Sequence, residues 1–465
     1  MVKSISCLSF CCLLLFCKEK TASAQTLSLK QAVETALSNY GTIRAKNNYA
    51  LASKALVAQS KRDYLPNLAI SAQQDYGTVN GQNGPLYGFG GLGVASSGAP
   101  LAEQNWNASF GALYLANINW EFFAFGRAKE RIRVAQSAAV RDESDLVQEK
   151  FQHGIRVAAV YLNLLAAQKI AGSQERNLER AATLRTVVVA RATNGLIPGV
   201  DSSQANAEIS AARIALTRAR DAVEEQENQL AQLMGIPATH FTIDTFFVAR
   251  LPAGMEAPAT PALQQHPLLQ YYHNRIALSN EQVKYYRTLM YPSFSAFGIF
   301  QTRGSGFTTS YTSDQAAYSE DYFKGVNPTR SNYLFGIGVS WNLTSLLRVH
   351  QQVLAQQYIS RAAQDEYDVT DQRLQAQLAL AASKMGHALD NYREAPQQVQ
   401  AASDAYLQRS VLYKNGLNNI VDVTQALYVL NRAETDRDIA YNNVWQALLL
   451  RAAAAGDFGI FINAF

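Results

Sequence analysis

One glycine-rich segment has the spacing of a phosphate-binding loop. Residues 88–93 read Gly-Phe-Gly-Gly-Leu-Gly and fit the pattern G-x-G-x-x-G. A dinucleotide site of this type needs a strand before the glycines and a helix after them, because the helix N-terminus binds the pyrophosphate. Here residues 97–100, Ser-Gly-Ala-Pro, follow the glycines, and this composition is typical of a loop. We therefore predict a flexible loop and no cofactor.

Side chains that could catalyse a reaction or bind a metal are scattered along the chain. His266 and His273 are seven positions apart, whereas two ligands on one helix face are usually four apart. The metalloprotease pattern H-E-x-x-H and the nucleophile pattern G-x-S-x-G do not occur. We therefore expect no catalytic site and no metal site, although a catalytic triad can be dispersed in sequence.

The first 24 residues have the composition of a secretory signal peptide. Lys3 precedes an apolar run over residues 5–17, which is too short to cross a bilayer as a helix. Residues 22–24, Ala-Ser-Ala, then form a cleavage box. We predict a signal peptide over residues 1–24 and a mature chain that starts at Gln25, with a short membrane anchor as the alternative.

All the cysteines precede that cleavage box, at Cys7, Cys11, Cys12 and Cys17. Removal of the leader would leave a chain with no disulfide, cysteine-metal site or thiol catalysis, which suits an oxidising compartment. A lipid-modified Cys17 is a further alternative, but Phe16 stands where a small residue is needed.

Charge and hydropathy exclude two classes of protein. The formal net charge is +4, and no basic patch with interleaved aromatics occurs, so we do not expect nucleic acid as a partner. No apolar run of about 18 residues follows the leader, so we expect no transmembrane helix. An exported chain of this kind is then either a soluble periplasmic protein or a β-barrel of the outer membrane.

The chain repeats its own plan at a constant interval. The recurring landmarks are Tyr64-Leu65-Pro66 with Met290-Tyr291-Pro292, Trp120 with Trp341, Asn194-Gly195-Leu196 with Asn415-Gly416-Leu417, and Gly235 with Gly456. From Trp120 onward each pair is separated by 221 positions. Unrelated helical segments would not keep one offset, so we infer an internal duplication.

The repeat sets the predicted domain boundaries. Residues 25–235 form the first copy, 236–265 an equatorial connecting segment, 266–456 the second copy, and 457–465 a C-terminal tail, all within one integrated domain. Each copy is predicted to contain a leading helix, two strands joined by a loop, a long helix, a tight Gly turn and a return helix. The predicted helices are 29–63, 127–193 and 202–234 in the first copy and 268–289, 348–414 and 423–455 in the second. Phe151, Ala158 and Leu165 are seven apart, which is coiled-coil spacing.

The predicted strands alternate apolar and polar residues, the pattern of a sheet with one apolar face. Their apolar residues are Leu68, Ile70, Ala72 and Tyr76; Phe110, Ala112, Tyr114, Ala116, Ile118 and Trp120; Phe294, Ala296 and Phe300; and Tyr333, Phe335, Ile337, Val339 and Trp341. Phe297 and Ile299 blur the third pattern. Segments of about ten residues with aromatic ends suit strands that cross an outer membrane, while amphipathic hairpins on a soluble protein are the alternative.

Four strands in lipid require more than one chain. An open sheet would leave the backbone groups of its edge strands unpaired in hydrocarbon, and a closed barrel needs about eight strands or more. The strands therefore predict an oligomer, although their number does not fix how many chains take part.

With these features the chain resembles the TolC-like outer-membrane efflux proteins over residues 27–456. The resemblance rests on residues 64–66, on residues 120–127 (Trp-Glu-Phe-Phe-Ala-Phe-Gly-Arg) and on both Gly turns, in duplicated order. It implies a mixed α and β membrane protein: a trimeric barrel with four strands per chain, continued by a long α-helical coiled-coil periplasmic tunnel.

The resemblance also implies a location, a function and partners. The protein would lie in the outer membrane with a large periplasmic part, in contact with outer-membrane lipid. It would be the channel of a tripartite efflux or type I secretion system. Its partners would be two further copies, a periplasmic adaptor (membrane fusion) protein and an inner-membrane transporter. The alternative is a periplasmic coiled-coil scaffold or adaptor without a barrel.

By the same resemblance, the two Gly turns form the periplasmic end of the tunnel. The adaptor-docking residues would be Gly195, Leu196, Gly199, Val200, Gly416, Leu417 and Val421. The periplasmic gate would comprise Asp201, Tyr413, Asn418, Asp422 and Gln425. In this gate we expect Tyr413 to donate a hydrogen bond to Asp201 and Asp422 to form an acidic ring, while Asn418 replaces the family's Arg and Gln425 replaces its second acid. Helix capping by Asp201 and Asp422 is the structural alternative.

Overall fold

The structure is a computed structural model that describes residues 26–81, 99–245, 250–252 and 263–464. The predicted signal peptide over residues 1–24, the glycine-rich loop at residues 88–93 and parts of the connecting segment lie outside the described residues. Within the described ranges, no helix combines the length and the apolarity needed to cross a membrane.

Long helices account for most of the described chain. They are α1 (Leu29–Asn39), α2 (Gly41–Arg62), α3 (Arg127–Thr193), α4 (Gly199–Met234), α5 (Pro267–Thr288), α6 (Tyr322–Val326), α7 (Ser345–Lys414), α8 (Ile420–Ala455) and α9 (Gly459–Ile462). A 3-10 turn over Leu263–Gln265 precedes α5. The chain divides into two compact units. The strand unit comprises Ala45–Gln148 and Gln264–Gln372, and the turn unit comprises Met1–Arg44, Glu149–Leu263 and Arg373–Phe465.

The strand unit contains one antiparallel sheet. Its strands are β1 (Asn67–Thr78), β2 (Ala108–Phe123), β3 (Ser293–Ser305) and β4 (Arg330–Ser340), and they follow one another in sequence order across the sheet. The register aligns the predicted apolar residues, since Ile70 pairs with Ala116 and Ile337 pairs with Ala296. Ile70 is 81% exposed and Ile337 is 72% exposed. The strand prediction is therefore confirmed, with the apolar face uncovered over much of its area.

The opposite face explains the residues that blurred the third strand pattern. Phe297 pairs with Gly336 across β3 and β4, and a Cβ atom on Gly336 would overlap the Phe297 ring. The glycine therefore makes room for an aromatic side chain on the face that also carries Ser293, Ser295 and Gln301 of β3.

The loop between β3 and β4 is more ordered than its composition suggests. Its short helix α6 packs against the apolar face of the sheet, where Tyr114 donates a hydrogen bond to the Val326 carbonyl oxygen at 3.2 Å. Tyr322 also donates to Gln74 of β1 at 2.9 Å. The loop thus covers one end of that face.

The turn unit has the largest apolar core. Tyr161, Leu162, Trp445 and Phe461 are completely or almost completely buried in it. The buried surface of α3 is wider than the predicted coiled-coil seam, because Val157 and Leu164 are buried in addition to the heptad positions. The predicted C-terminal tail contains α9, which places Phe461 against Trp445 with ring centroids 6.4 Å apart.

Some predicted boundaries were wrong at the residue level. The leading helix was predicted as one element over residues 29–63, but extended backbone at Tyr40 (ψ 122°) divides it into α1 and α2. The helices α4 and α8 each begin three residues earlier than predicted. Their N-cap residues are Pro198 and Asn419, and each helix starts directly after its N-cap. Asp201 and Asp422 are therefore inside first turns and are not N-cap residues.

The two copies of the repeat make equivalent contacts. Trp120 Nε1 donates to the Tyr64 carbonyl oxygen at 2.9 Å, and Trp341 Nε1 donates to the Met290 carbonyl oxygen at 3.0 Å. Gly235 and Gly456 both end a return helix with a left-handed backbone. The sequence landmarks therefore have the same structural role in each copy.

Candidate functional site

Two helix reversals in the turn unit have the same backbone design. Gly195 and Gly416 have φ angles of 70° and 77°, which a side chain with a Cβ atom disfavours. The Leu196 amide donates to the Arg191 carbonyl oxygen at 2.9 Å, and the Leu417 amide donates to the Leu412 carbonyl oxygen at 2.9 Å. Each of these bonds joins an amide to the carbonyl group five residues earlier, as in a Schellman motif, which satisfies carbonyl groups at the end of a helix.

Both reversals present large apolar side chains to solvent. Leu196 is 67% exposed and Leu417 is 74% exposed, and Val200 and Val421 are also exposed. The predicted docking glycines Gly195, Gly199 and Gly416 are exposed as well. The described chain leaves all these residues accessible, which is the condition that a docking surface must meet.

Beneath the turns lies a small core to which both copies contribute. Leu184, Val188 and Ala205 come from the first copy, and Tyr413, Ile420 and Val423 come from the second. Tyr413 is only 3% exposed. The apolar side chains therefore hold the two reversals next to each other.

Arg191 makes the polar connection between the two reversals. Its Nη1 atom donates to the Tyr413 carbonyl oxygen at 2.6 Å, and the guanidinium carbon lies 5.4 Å from the centre of the Tyr413 ring. The same nitrogen lies 3.4 Å from the Lys414 carbonyl oxygen. A cation is favourable at the C-terminal carbonyl groups of a helix and over an aromatic face.

Sequence reasoning missed Arg191, although the repeat contains a signal. In the second copy the position 221 residues later is Leu412. A charged residue in one copy therefore corresponds to an apolar residue in the other, so the two copies differ in chemistry at this position. That difference could have singled out Arg191 before its contact was known.

The expected hydrogen bond between Tyr413 and Asp201 is not formed. The Tyr413 hydroxyl is buried and has no hydrogen-bond partner within the described part of the chain. Burial raises the pKa of Tyr413, the negative charge of Asp201 raises it further, and the Arg191 cation opposes both. Asp201 is thus close enough to act on Tyr413 through its charge, but the direct tether in this structure is provided by Arg191.

Asp422 has a charged partner that the sequence analysis did not foresee. Arg409 Nη1 lies 3.6 Å from Asp422 Oδ2. The N-cap of α8 is Asn419, whose side chain accepts a hydrogen bond from the Asp422 amide at 2.9 Å. The predicted acidic position is therefore partly neutralised within its own chain.

The two remaining gate positions carry no charge. Asn418 Oδ1 accepts a hydrogen bond from the Asn419 amide at 3.0 Å, so Asn418 stabilises its own turn and does not reach another helix through that oxygen. Gln425 is exposed on α8. The structure thus brings Asp201, Tyr413 and Asp422 to the same end of the turn unit, with Asn418 and Gln425 beside them in sequence.

Polar contacts continue between α3 and α8 away from the turns. Arg180 and Glu434 form a bidentate ion pair with distances of 3.0 and 2.7 Å. Further along the helices, Ser173 donates to Asp438 at 2.8 Å. These bonds join the long helix of the first copy to the return helix of the second.

These groups can hold or release helices, but their arrangement does not suggest a reaction. Within the described ranges, no group of three or more His, Cys, Asp or Glu side chains could hold a metal ion. Arg191, Arg409 and Asn419 are engaged with a helix end or with another side chain or amide of the turns.

Comparison with known proteins identifies a family. The family described as outer membrane efflux protein matches residues 32–236 and 260–453. No curated protein matched the chain.

Solved structures agree with that match at the level of the fold. The Campylobacter jejuni outer membrane channel CmeC is 16% identical, with a TM-score of 0.74, over 92% of this chain and 85% of that chain. The Vibrio cholerae outer membrane protein VceC is 16% identical, with a TM-score of 0.71, over 92% of this chain and 96% of that chain. The open state of the Neisseria gonorrhoeae channel MtrE is 16% identical, with a TM-score of 0.69, over 92% of this chain and 89% of that chain.

Proposed function

The chain belongs to the outer membrane efflux protein family, and we propose that three copies of it form one export channel that works with an inner-membrane pump. The family is one of outer-membrane channels and not of enzymes. Membership also argues against the alternative of a periplasmic scaffold without a barrel. Substrates would pass from the pump through a helical tunnel and leave through the barrel.

The observation that carries the proposal is the open sheet of the strand unit. The strands β1 and β4 are its two edges, and an unpaired edge cannot remain in hydrocarbon. Pairing of β1 in one copy with β4 in the next would satisfy both edges and leave the apolar face outermost. Three copies would supply twelve strands, which is within the range of transmembrane barrels.

The exposed side chains of the two turns support the docking of a partner. Leu196, Val200, Leu417 and Val421 form an apolar surface at the helix reversals. A group of exposed apolar side chains is unfavourable in water unless another molecule covers it, so the surface suits an adaptor protein. The glycines at 195, 199 and 416 would let the adaptor approach the backbone closely.

The same end of the turn unit would contain the gate. We assign Asp201, Tyr413, Asn418, Asp422 and Gln425 to it, and we add Arg191 as the residue that ties the two reversals together. Closure would depend on the packing of Tyr413 and on the charges of Asp201 and Asp422, since Asn418 carries no charge with which to tether a neighbouring helix.

Native mass spectrometry of the detergent-extracted protein tests the proposal, together with single-channel recording in planar bilayers. We expect a trimer that conducts ions. A stable monomer would contradict the proposal. A trimer that conducts no ions even after proteolysis has removed the turns would contradict it as well. The chain has no cysteine after Cys17, so pairs of cysteines introduced on β1 and β4 can also be cross-linked without competing thiols.

A further inference from the structure

A cavity lies where β2 ends and α3 begins in the strand unit. It has a volume of about 550 Å³ and lies between the aromatic end of the strand and the first three turns of the helix. Its apolar wall includes Tyr64, Phe122, Phe123 and Ile132. On the helical side, Lys129, Ile132, Arg133 and Gln136 face it, with the spacing that places residues on one side of a helix.

The apolar wall is continuous with the membrane-facing side of the sheet. Phe122 is two residues beyond Trp120 and therefore points to the apolar face. A β-bulge between Glu121 and Phe123 then turns Phe123 toward Phe294 of β3, with ring centroids 5.8 Å apart. Exposed aromatic rings near the end of a membrane strand are typical of the lipid–water boundary. The cavity therefore opens where lipid headgroups meet water.

The polar wall has an excess of positive charge. Three of its charged residues are basic and one, Glu121, is acidic. Arg127 is already engaged, because it donates to Glu121 at 3.1 Å and to the Tyr291 carbonyl oxygen at 3.2 Å. Arg133 donates to Glu130 at 2.8 Å and keeps further N–H groups. The Lys129 side chain is exposed and has no hydrogen bond or ion pair in the described part of the chain.

We propose that this cavity binds one phospholipid of the periplasmic leaflet, with the lipid phosphate on Lys129 and Arg133 and the start of an acyl chain against Phe122, Phe123 and Ile132. Two cations beside an aromatic and aliphatic wall match a phosphate joined to a hydrocarbon chain. The positive excess favours an anionic headgroup over a zwitterionic one. The inference rests on the outer-membrane location of the sheet and adds a specific lipid site to it.

Native mass spectrometry of the assembled full-length protein in detergent tests the site directly. The probes are phosphatidylglycerol, phosphatidylcholine with the same acyl chains, and inorganic phosphate. We expect retention of phosphatidylglycerol in preference to the other two. The double variant Lys129→Gln/Arg133→Gln should retain it at least about tenfold less, because each cation near a lipid surface contributes on the order of 1 kcal/mol.

A matched control removes the same charge from outside the cavity. Lys61 and Arg62 end α2 and do not line the cavity, so Lys61→Gln/Arg62→Gln should change retention by less than about twofold. Equal losses in the two double variants would overturn the site, because they would indicate general surface attraction. Equal retention of both lipids, or competition by inorganic phosphate at lipid concentrations, would also overturn it.

Two further measurements separate this inference from the channel itself. If the cavity were instead filled by a neighbouring copy, Lys129→Gln/Arg133→Gln would lower the trimer yield without changing lipid retention, and the lipid site would be wrong.

Single-channel conductance is measured on the same samples. Normal conductance without a headgroup preference would refute the lipid site alone, whereas absence of a conducting trimer would refute the proposed function. The single variant Lys129→Gln, at an exposed position, repeats the test if the double variant does not assemble.

Discussion

Arg191 and Tyr413 join the two helix reversals of the turn unit. The guanidinium group donates to the Tyr413 carbonyl oxygen at 2.6 Å and lies 5.4 Å from the centre of its ring. One residue thus neutralises the carbonyl end of α7 and covers the aromatic side chain that fills the core beneath the turns. The contact connects the long helices of both copies within one chain, so the reversals should move as a pair.

The first prediction is that Arg191→Gln loosens the second reversal. A charge-assisted hydrogen bond contributes about 1.5–3 kcal/mol, so amide hydrogen exchange around residues 410–418 should become one to two orders of magnitude faster. Leak conductance in planar bilayers should increase as well. The control is Arg185→Gln, because Arg185 donates to Asn206 at 2.6 Å, a contact within the first copy. Similar effects of the two variants would show that Arg191 has no special part in joining the turns.

A second prediction concerns the Tyr413 hydroxyl. It is buried without a partner, so Tyr413→Phe should leave leak conductance unchanged and alter the free energy of unfolding by no more than about 1 kcal/mol. Tyr413→Ala removes the ring beneath Arg191 and should increase the leak. The two conductances are compared at one voltage. An increased leak in Tyr413→Phe would mean that the hydroxyl bonds to Asp201 of another copy in the assembled channel.

The third prediction follows from the ion pair of Asp422. Arg409 lies 3.6 Å from that carboxylate, so it should weaken the binding of a polyvalent cation at the gate. An exposed ion pair contributes up to about 1 kcal/mol, and Arg409→Gln should therefore lower the blocking concentration of hexamminecobalt about fivefold. Asp422→Asn should raise it, while Asp404→Asn, at an exposed position on α7, serves as the control. An unchanged block in Asp422→Asn would remove this residue from the gate.

Large elements of the fold could be predicted because their signals are periodic. The bounds of α3 agree with the sequence prediction at both ends, since Gly126 and Gly195 flank a long run that contains no proline. The sheet register also follows from alternation, because a shift of one residue would reverse both faces. Repetition added a second, independent reading of each signal.

Local contacts could not be predicted in the same way. Arg191 reaches a carbonyl group 222 positions away, and nothing in its neighbouring residues indicates that partner. Gly41 directly follows the break at Tyr40, but Gly154 and Gly172 lie inside α3 without a break, so a glycine alone does not predict one. The break is stabilised by packing of the Tyr40 ring on His153. Such contacts depend on tertiary packing, which overrides local propensity.

The fourth prediction tests the membrane face of the sheet. Ile337 is on the exposed apolar face of β4, whereas Ser340 is on the other face. Ile337→Arg should destabilise the assembled barrel by about 2–4 kcal/mol if the position is near the bilayer midplane. Ser340→Arg should have a much smaller effect. Trimer yield after outer-membrane extraction measures both, and equal yields would mean that the two faces have been assigned wrongly.

The fifth prediction concerns pH and a buried histidine of α3. His153 is 0% exposed, its ring stacks on Tyr40 with centroids 3.9 Å apart, and its Nε2 atom lies 2.9 Å from the Leu233 carbonyl oxygen. Burial lowers the pKa of His153 below 6.5; Arg156 lowers it as well, while the Leu233 bond and Glu149 oppose the shift. Because a carbonyl oxygen can only accept a hydrogen bond, the neutral ring carries its proton on Nε2. The bond joins α3 to the end of α4.

The sign of the pH effect follows from that lowered pKa. Below pH 6.5 the unfolded chain binds a proton that the folded protein resists, so the stability contributed by neutral His153 is complete above pH 6.5 and decreases as the pH falls toward the lowered pKa. The loss should reach at most about 1.4 kcal/mol per pH unit. Thermal unfolding of the trimer at pH 7.5 and pH 5.5 measures it. His153→Gln, which cannot be protonated, should reduce the difference between the two melting temperatures, while His273→Gln, at an exposed position, should not. A pH dependence that is unchanged in His153→Gln would assign the effect to other groups.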